Sequence, residues 1–265
     1  MLRWKSNTNE SSKSFRVLLN DAPYSDFEDS VENKMYFTEI TDLMPNTVYQ
    51  AMVIICPSNE KDLTKCEQFS KPSASASTYP KAPEEFTAEA VDSTAIKFAW
   101  TLPNQTFEHL LVVVRASAPD SAGVSKVDPS LNTTTVKGLN ALTYYDTTMS
   151  VENTYDAKTV ASENVLKVLT APNPPTAEVT HVGDTWMRVS LVPAAAGENL
   201  NLTYTVIISN LSGYKAECTP DEQLSCDFDG LEKGTEYSLV TKACYDKLCS
   251  VESQPFNATT GNTRE

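Results

Sequence analysis

The sequence predicts an all-β chain built as three tandem two-sheet sandwiches, and three observations predict it. A corner pattern of Leu, four residues later Thr, and two residues later Tyr recurs as Leu43, Thr47 and Tyr49, as Leu139, Thr143 and Tyr145, and as Leu231, Thr235 and Tyr237. The tyrosines stand 96 and 92 residues apart, and self-similarity at a fixed spacing marks repeated structural units. Between the corners, short apolar runs alternate with polar residues at the period of a half-buried strand, and no segment holds a helical period over about twelve residues.

Each element follows in chain order. Tyr49, Ala51, Val53 and Ile55 alternate with other residues and run into Pro57. A strand is expected near Phe86 to Val91, and after it Ile96, Phe98 and Trp100 alternate with Ala95, Lys97 and Ala99. Met187, Val189 and Leu191 repeat that pattern in the third unit. Turn chemistry in Pro119 to Gly123, Pro193 to Asn199 and Asn210 to Gly213 ends the runs, as expected of many short strands in a sandwich. A large apolar residue stands three before each corner Leu: Ile40, Val136 and Phe228. Trp4 and Trp100 each precede their corner tyrosine by 45 residues, and Leu191 holds the matching place, within one residue, in the third copy.

The breaks keep step with the corners. Thr78-Tyr79-Pro80 and Thr170-Ala171-Pro172 open Pro-rich stretches 92 residues apart. Proline fixes φ and removes a ladder donor, so these stretches end one sheet and stiffen the passage to the next. The expected units are 1–79, 80–171 and 172–265.

These residues resemble the fibronectin type III module, an immunoglobulin-like β-sandwich with Trp on its second strand and a Leu-x-Pro-x-Thr-x-Tyr corner before its sixth. Leu43, Pro45, Thr47 and Tyr49 match the corner in full, whereas Ala141 and Lys233 replace the proline in the other copies. The resemblance implies that Tyr49, Tyr145 and Tyr237 pack their rings in the core and return their hydroxyls to an upstream backbone group. It covers essentially the whole chain. It also implies that the first unit lacks its first strand, because only three residues precede Trp4, while Thr259 and Thr260 fall where Thr170 fell. The chain is therefore expected to be an internal slice of something longer.

Cys56 and Cys244 each follow their corner tyrosine by seven residues, at equivalent ends of the sixth strand, and each has a cysteine shortly after it, Cys66 and Cys249. A disulfide closing the last hairpin is the natural reading. Cys218 and Cys226 flank a loop, and the four cysteines of the third unit leave three connectivities open. Metal or redox chemistry is disfavoured, since four residues separate Cys244 from Cys249 and His181 is that unit's one histidine. Asn9, Asn104, Asn132, Asn201, Asn210 and Asn257 each open an Asn-x-Ser/Thr sequon. Disulfides and sequons together point outside the cell.

Composition narrows the function. The chain has 265 residues, 40% of them hydrophobic and 21% charged, enough for packed cores. A net charge of −14 would repel a phosphate backbone, so nucleic acid is not an expected partner. The apolar runs are too short to span a bilayer, and Met1 to Ser6 has no apolar stretch behind its basic residues, unlike a signal peptide. His109 and His181 fall in different units, phosphate-cradling Gly motifs are absent, and no cofactor is expected. Asp221, Glu222, Asp227 and Asp229 read as a solvated acidic loop without calcium-ligand spacing. Trp186 faces out by parity with Leu191, either stacked on Arg188 or free to contact a partner.

The reading is a non-enzymatic extracellular spacer and protein-interaction segment. By resemblance, similar arrays form ectodomains of receptor-type tyrosine phosphatases and adhesion receptors, whose partners are protein ligands or co-receptors. The alternatives are spacer modules of a secreted multidomain enzyme and a soluble secreted antigen or decoy of the same modules.

Overall fold

The computed structural model describes residues 2–5, 13–24, 30–32, 35–57, 60–68, 74–194 and 200–261. Among them the strands form six sheets. Apart from one 3-10 turn, Leu63–Lys65, all regular structure among the described residues is strand.

The N-terminal sandwich pairs β1 (Leu2–Lys5), β5 (Met35–Thr38) and β4 (Ser30–Glu32) in one sheet. Its other sheet centres on β2 (Lys13–Leu19) and β6 (Val48–Pro57), flanked by β3 (Ala22–Pro23), β7 (Glu67–Gln68) and β8 (Ala74–Ser77). β1 lies against β5 with Trp4 opposite Tyr36. No described strand pairs with the other edge of β1.

The middle sandwich sets β9 (Glu85–Ala90), β10 (Ala95–Thr101) and β13 (Thr133–Lys137) against β11 (Leu110–Ala118), β12 (Ser121–Val127) and β14 (Tyr144–Asn153). Its last strand is broken into β15 (Lys158–Ala161) and β16 (Leu166–Leu169), both paired to β14. The C-terminal sandwich repeats the plan. β17 (Thr176–Val182), β18 (Trp186–Val192) and β21 (Ser225–Asp229) face β19 (Thr203–Ser209), β20 (Lys215–Cys218) and β22 (Glu236–Tyr245). β23 (Leu248–Cys249) and β24 (Phe256–Thr259) form its broken last strand.

Alternation does the sorting. Ile96, Phe98 and Trp100 on β10 pack onto Val112 and Val114 of β11 and onto Tyr145, Met149 and Val151 of β14. Met187, Val189 and Leu191 meet Val206, Ile208, Tyr237 and Leu239 in the C-terminal core. Side chains at i and i+2 share a face of a strand, and each such burial is worth about 1.5–3 kcal/mol.

Two expectations change. The turn over Pro119 to Gly123 shrinks to Pro119 and Asp120, because β12 already begins at Ser121. β6 is not half-buried at its far end: Val53, Ile54, Ile55 and Cys56 are all buried. Val53 and Ile55 face the core with Phe15 and Val17, while Ile54 and Cys56 pack with Leu18, Leu63 and Cys66 on the opposite face. The loop carrying the 3-10 turn covers that face.

Candidate functional site

The three corners share one set of hydrogen bonds. Tyr49, Tyr145 and Tyr237 accept through their hydroxyls from the amides of Met44, Asn140 and Glu232, at 2.9, 2.8 and 2.9 Å. Tyr145 and Tyr237 are fully buried, whereas Tyr49 is only half-buried. Tyr145 also donates to Ser121 Oγ at 2.6 Å. A threonine at each sandwich's exit locks the corner. Thr78, Thr170 and Thr260 donate to the carbonyls of Met44, Asn140 and Glu232, each at 2.6 Å. Each also accepts from the backbone amide of the corner threonine at 3.0 Å. The residue before that corner threonine is left-handed in every copy: Asn46 (φ 51°), Leu142 (φ 46°) and Gly234 (φ 59°).

Asn46 does more. It is 1% exposed, and its amide donates to the carbonyls of Thr106 (2.6 Å) and Glu108 (2.9 Å) in the loop between β10 and β11. Its Oδ1 accepts from Nδ2 of the fully buried Asn153, at the end of β14, at 2.7 Å. Thr106 Oγ1 lies 2.9 Å from Thr47 Oγ1 and donates to Pro45 O at 3.2 Å.

The hairpin from β14 to β15 adds a second grip on the N-terminal sandwich. Asp156 accepts from the Ser77 amide (3.0 Å) and hydroxyl (2.5 Å), and pairs with Lys158 at 2.8 Å. Lys158 also donates to Ser77 O and stands over the Tyr79 ring, 5.5 Å from its centroid. The hydrogen bond from Lys158, with those from Ser77, pulls the Asp156 carboxyl from its ordinary value to about 2. Two loops at one end of the middle sandwich are thus joined to the N-terminal sandwich by satisfied, partly buried polar contacts. Such networks fix one geometry, because an unpaired buried group is costly. Sequence reasoning did not find this joint.

The cysteines pair as Cys56–Cys66, Cys218–Cys226 and Cys244–Cys249, with sulfurs 2.11, 2.13 and 2.11 Å apart. The first closes the loop between β6 and β7. Cys244 and Cys249 sit directly opposite across the β22–β23 hairpin. Cys218–Cys226 joins β20 to β21, and so ties the edges of the two C-terminal sheets.

Of the sequon asparagines, Asn104, Asn132, Asn201 and Asn257 are exposed and Asn210 is half-buried. Asn9 lies outside the described residues. Asn210 caps its own turn, Oδ1 accepting from the Tyr214 amide at 2.9 Å.

Trp186 is 38% exposed and packs on Gly183, where an added Cβ would lie 2.1 Å from the indole Nε1. Stacking on Arg188, one of the two readings of Trp186, does not form among the described residues. Instead the Arg188 guanidinium holds Asp227 through two 2.6 Å hydrogen bonds, and keeps that carboxyl below its usual range. Register explains the choice, because Arg188 lies directly opposite Asp227 while Trp186 lies opposite Asp229. Asp221 accepts from the Gln223 and Ser225 amides and shapes its own turn. His109 lies beside Glu108 and the Tyr155 ring, and His181 is exposed on β17. Among the described residues no group of three or more His, Cys, Asp or Glu gathers for a metal. No helix there is long and apolar enough to cross a membrane.

No family model matches the chain. In an alignment 196 residues long that covers 66% of this chain, it is 30% identical to receptor-type tyrosine-protein phosphatase F of Bos taurus and 29% identical to that of Mus musculus. It spans about a tenth of the length of these curated relatives, 10% in each case. Among solved structures it is similar to a two-domain fibronectin type III segment of chicken tenascin, at 16% identity and a TM-score of 0.35, covering 68% of this chain and 99% of that one. It is also similar to the FN1-FN3 domains of chicken CNTN1, at 14% identity and a TM-score of 0.33, covering 96% and 91%. The paired antiparallel sheets and the tyrosine corner described above are those of immunoglobulin-like β-sandwiches.

Proposed function

We propose that the chain is a non-enzymatic extracellular spacer and protein-interaction segment of a receptor or adhesion ectodomain, resembling that of a receptor-type tyrosine phosphatase. It divides into modules 1–79, 80–171 and 172–265. The observation that carries this reading is the joint at Asn46. A spacer transmits position only if its modules hold an angle, and Asn46, Asn153, Asp156 and Lys158 supply polar contacts that hold one. Three disulfides and the sequons support an extracellular setting. The sequence match to a receptor phosphatase favours a receptor over a secreted enzyme's spacer. Its partners are protein ligands or co-receptors, and Trp186 on the third module is the proposed contact.

Distance measurements between non-cysteine spin labels at Thr64 and Lys137 test the spacer. A single narrow distribution is expected, broadened by Asn46→Ala. A broad distribution in the unaltered chain would reject the reading.

A further inference from the structure

On the outer face of the β9–β10–β13 sheet lies a hollow of about 310 Å³. Ala99 forms its floor. Thr87 and Thr133 are the direct cross-strand neighbours of Ala99 on either side, and Lys97 and Thr101 stand before and after it on the same face. The side chains around the floor therefore offer hydroxyls, an ammonium and, from Glu85, a carboxylate. Asn132 lines the same hollow, is exposed, and opens the sequon Asn132-Thr133-Thr134. Its backbone is held at the start of β13, since its carbonyl accepts from the Trp100 amide at 3.0 Å.

We propose that Asn132 carries an N-linked glycan whose first N-acetylglucosamine lies in this hollow, over Ala99. The inference rests on the extracellular reading. The glycan comes from a lipid-linked oligosaccharide pyrophosphate. Asn132 Nδ2 bonds to the anomeric carbon, the bond from that carbon to the pyrophosphate oxygen breaks, and Nδ2 gives up one proton as the lipid pyrophosphate leaves. The acetamido and hydroxyl groups of the sugar meet the hydroxyl-rich rim, and its ring covers the Ala99 methyl. Tethering makes a weak subsite sufficient, because the attached sugar is present at an effective concentration on the order of millimolar.

The test expresses the whole chain in a glycosylating secretory host, maps the occupied sequons by glycopeptide mass spectrometry, and times native-state glycan release by an endoglycosidase. Asn132 should be occupied and release about tenfold more slowly than Asn104, matching a tenfold seating preference. Ala99→Gln, which fills the floor and spares the sequon, should leave occupancy unchanged and bring release up to the Asn104 rate. Thr87→Lys, at an exposed position where folding is not at issue, should do the same. A bare Asn132 beside glycosylated sequons elsewhere, or equal release rates in the unaltered chain, overturns the inference and leaves the extracellular reading standing. A chain with no glycan at any sequon overturns both.

Discussion

Beyond its corner tyrosine every sandwich has to hold the far end of a long hairpin, and the middle one does so differently from its neighbours. Seven residues after Tyr49 and Tyr237 stand Cys56 and Cys244, which close their hairpins covalently onto Cys66 and Cys249. Seven after Tyr145 stands Glu152, and the hairpin end is held by Asn153, Asp156 and Lys158 docking onto Asn46 and Ser77 of the N-terminal sandwich. A disulfide makes a hairpin self-sufficient. A docked hairpin is only as ordered as the neighbour it grips, so the same place in one fold serves local stability in two copies and inter-sandwich geometry in the third.

The largest effect should come from breaking the covalent side. Replacing Cys244 and Cys249 together by Ala should cost the third sandwich about 2–3 kcal/mol, the order expected for a short closed loop. Reductant should lower the melting of the first and third sandwiches and leave the second in place. Calorimetry with and without reductant reads this, and peptide mapping without reduction should recover Cys56 joined to Cys66. Equal sensitivity of the middle sandwich would erase the contrast.

Next comes the docked side. Asn46→Ala removes both halves of the amide, leaving Asn153 Nδ2 and the Thr106 and Glu108 carbonyls without their partner, a loss of roughly 1–3 kcal/mol. It also puts alanine at φ 51°, a left-handed conformation that asparagine adopts more readily. Asn46→Gly tolerates that φ and still loses the amide. Both variants should broaden the distance distribution between labels at Thr64 and Lys137. If only the Ala variant did so, backbone strain and not the joint would be responsible.

The corner divides the copies along a different line. Tyr145→Phe should destabilise the middle sandwich by roughly 1–3 kcal/mol, since the Asn140 amide and Ser121 hydroxyl lose a buried partner. Tyr49→Phe should cost less, because water reaches the half-buried first corner. Equal losses in denaturant titrations would show that burial does not set the corner's worth.

The corners were legible because they repeat: Leu, Thr and Tyr at fixed offsets, with Thr78, Thr170 and Thr260 in step. The threonines' task was not legible, as it depends on where the exit strand comes to lie. The joint left no trace, because Asn46 and Asn153 are 107 residues apart and a polar loop residue carries no period to reveal a partner. Trp186 shows the boundary of parity arguments. Alternation gave its face, but cross-strand register gave Arg188 to Asp227, and directly opposed residues meet more closely than those two apart on one strand.

The smallest effect tests the charge in the joint. Asp156 is more stable ionised in the folded chain, since Lys158 and Ser77 donate to it and bring its pKa from 3.8 to about 2. A carboxylate depressed in this way contributes fully above its unfolded value and loses that contribution as pH falls through the folded one. The label distance across the joint should therefore hold from neutral pH down to about 4 and loosen only between about 4 and 2. Asp156 stands at the surface, so salt should weaken its contribution at every pH. Asp156→Asn keeps the shape without the charge, and should give a slightly looser joint with no change across that window. Loosening of the unaltered chain between pH 6 and 5, where Asp156 keeps its charge, would assign the joint's sensitivity to another group and leave Asp156 a bystander.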